Sequence, residues 1–204
     1  MKGKTAFARL KEQEKEARKD LILDAAQRVF AAKPFGKVSM RDIAKEADIS
    51  PPSIYTYFSD QETLFIEAAL KGTQDMMDAF AATMNRSGDF SLDQVAETFI
   101  RYLAEHDVYF RMMAHFGLHA SVNSVSLEKL KAMERSALDT FDFAFKKLGA
   151  GGDVRTLSHT FFASLNGILI TYRRNPGRTE KEALAHMLRL AKVLCELFST
   201  VATK

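Results

Sequence analysis

The sequence predicts an all-α protein of about nine helices, on three observations. Strand signals are nearly absent, helix start signals recur along the whole chain, and apolar residues return at i, i+3 and i+4 between them. Pro and Gly clusters fall only at the joints between these periodic stretches.

The elements follow in order. Leu21, Ile22, Ala25, Ala26, Val29 and Phe30 make one amphipathic stripe, a first helix that ends near Lys33-Pro34. Ser39 with Asp42 three residues on is a capping-box pattern, opening a short helix through Ala47. "ISPPSIYTYF", residues 49 to 58, then sets two prolines ahead of another short helix. Proline costs ~3 kcal/mol in a helix interior but little in the first turn, where the amides have no intrahelical partner. Ser50 is the natural N-cap, and its hydroxyl is expected on the amide of Ser53, because Pro52 has none to offer. Pro51 precedes a proline and is biased away from α geometry, so Pro52 is the expected first regular residue. Ser59 with Glu62 opens a longer helix to about Met84. Ser91 with Gln94, Asp107, Ser126, Asp153, and Thr179 with Glu182 are the later N-cap candidates. Gly149 to Gly152 and Asn175-Pro176-Gly177 are the clearest breaks.

Composition bounds the function. The chain has 204 residues, 47% of them hydrophobic, enough for one large or two small helical units. Cys195 is the only cysteine, which excludes an internal disulfide and a cysteine-based zinc cage. The apolar runs are too short to cross a membrane, and Met1 to Asp20 lacks the apolar stretch of a secretory signal. A cytoplasmic protein with no membrane partner is expected. The net charge of +3 is too small to argue for nucleic acid alone.

Two short helices between Ser39 and Phe58, joined by Asp48-Ile49-Ser50, make a helix-turn-helix whose second member can enter a DNA major groove. At about 100° per residue, Ile54 and Phe58 point into the core, while Pro52, Ser53 and Thr56 share the opposite face. Tyr55 and Tyr57 flank that face. Small groups for base edges, bordered by hydroxyls for phosphates, suit a groove-reading helix, although the same tyrosines can simply shield a small core. Arg41 and Lys45, one turn apart on the exposed side of the preceding helix, are phosphate candidates or ordinary solvated charges. Ahead of the first helix, Lys2, Lys4, Arg9, Lys11, Lys15, Arg18 and Lys19 outnumber Glu12, Glu14 and Glu16 by seven to three. This segment is either a basic arm on DNA or a solvated extension of the helix.

The stretch "ILDAAQRVFAAKPFGKVSMRDIAKEADISPPSIYTYFSDQETLF" resembles the N-terminal DNA-binding region of the TetR/AcrR family of bacterial transcriptional regulators. Ala25, Ala26, Phe30, Phe35, Val38, Ser39, Met40, Ile43, Ala44, Ala47, Ile49, Ser50, Ile54, Tyr55, Tyr57, Phe58, Glu62 and Leu64 carry the match, which covers about Leu21 to Gly72. The resemblance implies a DNA-binding domain over 1–72 and an effector-binding and dimerisation domain over 73–204. Pro34 stands where the family usually has glycine, and Pro51 and Pro52 where it often has lysine, alanine or glycine. Gln61 replaces a lysine that commonly contacts phosphate. The implied DNA contacts are therefore Ser39, Arg41, Lys45, Ser50, Pro51, Pro52, Ser53, Tyr55, Thr56, Tyr57 and Gln61.

From Asp60 onward the chain turns towards Phe and Met. The resemblance implies an effector cavity lined by helices of this part, with Phe110, Met113, Phe116, His119, Phe162 and Asn166 as candidate lining; core packing is the other reading of such residues. His115 and His119 lie four apart, but no third ligand follows at suitable spacing, so no metal is expected. In the last two helices Phe161, Leu165, Ile168 and Tyr172, with Leu184, Met187, Ala191, Leu194 and Phe198, form two apolar stripes. They are the candidate surface of a homodimer, as the resemblance also implies, or part of the internal packing.

The expected function is a ligand-responsive regulator, usually a repressor in this family, on a palindromic operator and with no cofactor. No enzyme is expected, because the chain offers no paired carboxylates on an apolar face, no Glu-x-x-His pair, no glycine-rich phosphate loop and no nucleophile motif. The alternative is a helical-bundle interaction protein with a degenerate DNA-binding head.

Overall fold

The computed structural model describes residues 5–87, 91–118 and 124–202. Among them are nine α-helices, one 3-10 turn and no strand: α1 (Ala6–Ala32), the turn Phe35–Lys37, α2 (Met40–Glu46), α3 (Pro51–Ile54), α4 (Gln61–Ser87), α5 (Leu92–Glu105), α6 (Asp107–Leu118), α7 (Ser124–Lys147), α8 (Val154–Tyr172) and α9 (Glu180–Ala202). The all-α expectation holds. No helix among the described residues is long and apolar enough to cross a membrane.

Local signals set most of the ends. Ser39–Asp42 and Ser91–Gln94 close reciprocal capping boxes, and Thr179 with Glu182 makes the same pair of bonds. Asp153 accepts from the amide of Thr156 at 3.1 Å. Several ends differ from expectation: α6 starts on Asp107 itself, and α7 at Ser124, ahead of the expected cap Ser126. α1 is continuous from Ala6, capped by Thr5, so the charged segment from Ala6 onward is an extension of the helix and not a separate arm; Lys2 and Lys4 lie outside the described residues. The N-cap of α4 is Asp60, not Ser59: Asp60 Oδ1 accepts from the amide of Thr63 at 2.7 Å, while Ser59 bonds the other Asp60 oxygen. A carboxylate next to the hydroxyl takes the helix amide because a charged acceptor bonds it more strongly.

The chain divides into two compact units. The first is Met1–Gly72 with Arg111–Ser126, so that part of α6 groups with the head and not with the C-terminal unit. Its core joins Phe30, Phe35 and Phe65, with ring centroids 4.6 to 6.0 Å apart. Gln27 donates to the Ala68 carbonyl at 2.9 Å, and Lys71 pairs with Asp24 at 2.6 Å, tying α1 to α4. The second unit is Thr73–Phe110 with Leu127–Lys204. There α5, α8 and α9 pack together around Phe99, Phe141, Phe145, Phe161 and Phe198, mostly in edge-to-face pairs. Arg173, nearly buried, pairs through Nη2 with Asp107 at 3.0 Å and the Ala104 carbonyl, and lies over the Phe110 ring.

Candidate nucleic-acid interface

The turn between α2 and α3 positions the site. Ile49 N–H bonds the Ala44 carbonyl at 2.9 Å and Asp48 N–H bonds that of Lys45 at 3.2 Å, the paired bonds of a Schellman ending. Asp48 occupies the left-handed position at φ 54, where glycine is usual. An aspartate tolerates that region better than branched residues. The chain therefore turns sharply and delivers Ser50 in extended geometry, as a residue before proline requires.

Helix α3 begins at Pro51, one residue earlier than expected, and is a single turn. The Ser50 hydroxyl does not cap an amide. It shares a 2.7 Å hydrogen bond with the Ser53 hydroxyl, while the Ser53 amide bonds the Ser50 carbonyl. The tight i→i−3 bond closes the first turn, and the hydroxyl is left to its nearest polar neighbour. Residues 55–57 continue as a turn, with Thr56 N–H on Ser53 O and Tyr57 N–H on Ile54 O.

The faces fall as the 100° rule requires. Ile54 and Phe58 are fully buried; Pro51, Pro52, Ser53, Tyr55 and Thr56 are exposed, and Tyr57 is half-buried. Tyr55 is 55% exposed, too open to serve as a shield for the core. Tyr57 has an influence that sequence reasoning missed: first Tyr57 and then the Glu14 carboxylate raise the pKa of Arg18 above its ordinary value. Tyr57 sits 39 positions beyond Arg18, so no local pattern links them.

The other expected contacts separate into two groups. Arg41 and Lys45 are exposed, with no ion pair among the described residues. Ser39 and Gln61 are occupied. The Ser39 hydroxyl donates to Asp42 and accepts its amide, and the Gln61 amide donates inward to the Phe35 carbonyl at 3.2 Å. Gln61 is thus a half-buried tie between the 3-10 turn and α4, and not a free surface donor. Asp42 also receives Lys33 at 2.8 Å; that bond, then the two from Ser39, lowers its pKa to about 2.

The residues expected at an effector cavity do not gather in one described site. Phe162 packs on Phe99 and Phe141, Asn166 donates to the Phe162 carbonyl, and Phe110 carries Arg173 on its face. The side chains of Met113, His115 and Phe116, and all of His119, lie outside the described residues. A cavity of about 470 Å³ opens elsewhere, between α5 and α9, lined by Asp93, Glu97, Leu188, Arg189, Lys192 and Cys195 among others. Burial pushes the Cys195 thiol up to about 12, so it is an inert filler there. No cluster of three metal-ligating side chains is present among the described residues.

The expected dimer stripes divide in the same way. Phe161, Leu165, Met187 and Ala191 are at most 2% exposed and belong to the interior of the protomer, which corrects their placement on a partner surface. Ile168, Tyr172, Leu184, Leu194 and Phe198 are partly covered. The exposed apolar residues of these helices are Ile170 on α8 and Val193, Leu197 and Val201 on α9, each more than half open. On α8 the flank carrying Phe161 and Leu165 is buried, whereas on α9 the buried flank is the small one, Ala183, Met187, Ala191 and Cys195, which lets α9 pack closely on α5 and α8.

Three kinds of likeness to known proteins accompany this geometry. Residues 22–68 match the family model of the bacterial regulatory proteins, tetR family. The HTH-type transcriptional regulator YobS of Bacillus subtilis is 22% identical over 144 residues, covering 69% of this chain and 75% of that protein. An HTH-type regulator of Haemophilus influenzae is 27% identical over 103 residues, and the match spans half of each protein. Among solved structures, FadR of Bacillus subtilis in complex with stearoyl-CoA has a TM-score of 0.69 at 20% identity, over 88% of this chain and 96% of that one. PfmR of Thermus thermophilus has a TM-score of 0.66 at 18% identity, over 86% and 97%. At such identities these structures share the fold. The matched family and both sequence relatives are transcriptional regulators, not enzymes.

Proposed function

From a head that matches the tetR family of regulators over residues 22–68, we propose that this protein is a cytoplasmic repressor that binds a palindromic operator as a homodimer and leaves it when a small, largely apolar effector binds. The observation that carries the DNA-binding half is the open face of α3. It holds Pro51, Pro52, Ser53 and Thr56 in the middle and Tyr55 and Tyr57 at its flanks, on a helix anchored from behind by the buried Ile54 and Phe58. Proline rings can meet thymine methyls, and the hydroxyls of Ser53 and Thr56 can meet base edges. Arg41 and Lys45 supply charge for phosphates.

The homodimer reading is supported by Val193, Leu197 and Val201 on α9, which leave a protomer with an uncovered apolar stripe beside Ile170. In the α8 face near it, Gly167 has open space where a side chain would stand, which allows close approach of a second helix. A two-fold dimer would present its two α3 helices about 34–36 Å apart, one duplex turn, or a multiple of it.

For the effector half, the acyl thioester held by the FadR relative suggests long-chain, apolar compounds as the first class to screen. Helix α4 carries the chain from the first unit into the second through Gly72, and α6 joins the two again at Phe110–Arg111. Together with α7, which crosses at Ser126–Leu127, those helices are the covalent routes by which an effector can bias the head. Selection of bound duplexes from a random pool tests the proposal. A single palindromic consensus is expected, and recovery of no enriched sequence refutes the regulator reading in favour of an interaction protein with a degenerate head.

A further inference from the structure

The first four turns of α1 bury nothing: no residue from Ala6 to Asp20 is buried, and the buried positions of this helix begin at Ile22. At about 1.5 Å per residue this is a rod of roughly 20 Å that a globular head does not need. Its faces differ in charge. Extended backwards at about 100° per residue, the line of Ile22, Ala26 and Val29 passes through Lys19, Arg18, Lys15 and Lys11. Glu14, Glu16 and Asp20 fall on the other flanks. The base of the cationic line abuts the recognition segment, since the Lys19 ammonium lies 5.7 Å from the Phe58 ring. Arg18 and Lys19 are partly neutralised by Glu14 and Glu67. Lys11 and Lys15, further out, have no carboxylate partner among the described residues, although Lys11 rests over Phe7.

We infer that this extension is a cationic rail that holds the phosphate backbone flanking the segment read by α3; the inference rests on the DNA-binding reading above. Charge complementarity and the position of the line, which starts beside Phe58 and runs outward, select a duplex as the occupant. A lipid surface would need a broad apolar face, and the exposed Phe7, Leu10 and Leu21 are interrupted by Glu14.

The test compares the intact chain with Lys11→Gln/Lys15→Gln and with Glu16→Gln on a random-sequence duplex of about 40 base pairs, titrated from about 50 to 200 mM salt. The double lysine variant is expected to flatten the slope of log affinity against log salt by about 1.8, at ~0.9 per lost phosphate contact, and Glu16→Gln to leave it unchanged. An unchanged slope in the lysine variant, with the intact chain still binding, overturns the rail and leaves the regulator reading standing. An equal and opposite change in Glu16→Gln also overturns it, because net charge alone would then be acting. Lysine-dependent binding to phosphatidylglycerol vesicles but not to the duplex does the same. No salt-dependent binding by the intact chain defeats the DNA-binding reading and the rail with it.

Discussion

Arg111 on α6 donates from Nη2 to the main-chain carbonyl of Ala31 at 2.9 Å, across 80 residues of sequence. The last carbonyls of a helix have no intrahelical partner. In α1 the Lys33 amide takes the carbonyl of Val29, and the Arg111 guanidinium takes that of Ala31 and lies 3.5 Å from that of Phe30. A positive charge at a helix C-terminus also meets the negative end of its dipole. One residue of α6 thus completes the helix that α2 packs on.

Removing that charge should loosen the head. Arg111→Gln is expected to lower stability by about 1–2 kcal/mol, the usual worth of a charge-assisted hydrogen bond and a helix-end charge. Urea unfolding followed by helical ellipticity measures it. A midpoint equal to that of the intact chain would mean that water replaces Arg111 without loss.

Base readout and phosphate contact should separate by residue. Ser53→Ala or Thr56→Ala is expected to change preference at one base pair by ~1–3 kcal/mol, while Tyr55→Phe weakens all sequences alike. Ser53→Ala also frees the Ser50 hydroxyl from its 2.7 Å partner, so its effect should exceed that of a simple deletion. Binding to an operator and its single-pair variants decides the point. Sequence preference that moves with Tyr55 and ignores Ser53 and Thr56 would invert the face assignment.

Two leucines should behave oppositely. Leu197→Arg places a charge on the exposed face of α9 and is expected to yield a folded monomer, whereas Leu165→Arg buries an unpaired charge and should unfold the second unit. Sedimentation and ellipticity together read both outcomes. A dimer unaffected by Leu197→Arg would move the interface off this stripe.

Acid should loosen the start of α2. Bonds from Lys33 and Ser39 lower the pKa of Asp42 to about 2, below the ordinary 3.8. The folded state therefore binds the proton less readily than the unfolded chain. Its contribution to stability is complete above the ordinary value and is lost as the pH falls towards about 2. Asp42→Asn should remove this part of the acid sensitivity while lowering stability at neutral pH. Melting curves at stepped pH would show it, and parallel acid profiles for both proteins would rule the contact out as a contributor.

Effector and operator should be reciprocal. Tenfold weaker DNA binding on effector addition requires a coupling of only ~1.4 kcal/mol, and operator must then weaken effector binding by the same factor. Calorimetry with an acyl thioester, with and without operator, measures both arms. Equal affinities would make any bound compound structural and not a signal.

What the sequence determined by itself was local or periodic. The capping boxes at Ser39, Ser91 and Thr179, the early prolines of α3 and the burial of Ile54 and Phe58 each depend on residues within a turn or two. Helix ends are legible because the interaction that makes them spans three or four positions. Tertiary structure decided the rest, because those choices are competitions between distant groups. Gln61 reads as a surface donor until the Phe35 carbonyl, 26 residues earlier, lies within 3.2 Å of it. Lys19 reads as a solvated charge until the fold lays its ammonium 5.7 Å from the Phe58 ring and against Glu67. On α8 and α9 the periodicity shows apolar flanks without ranking them. Phe161 turns inward to the aromatic cluster of the second unit, while on α9 the small flank with Met187 and Ala191 packs inward and Val193, Leu197 and Val201 are left outside.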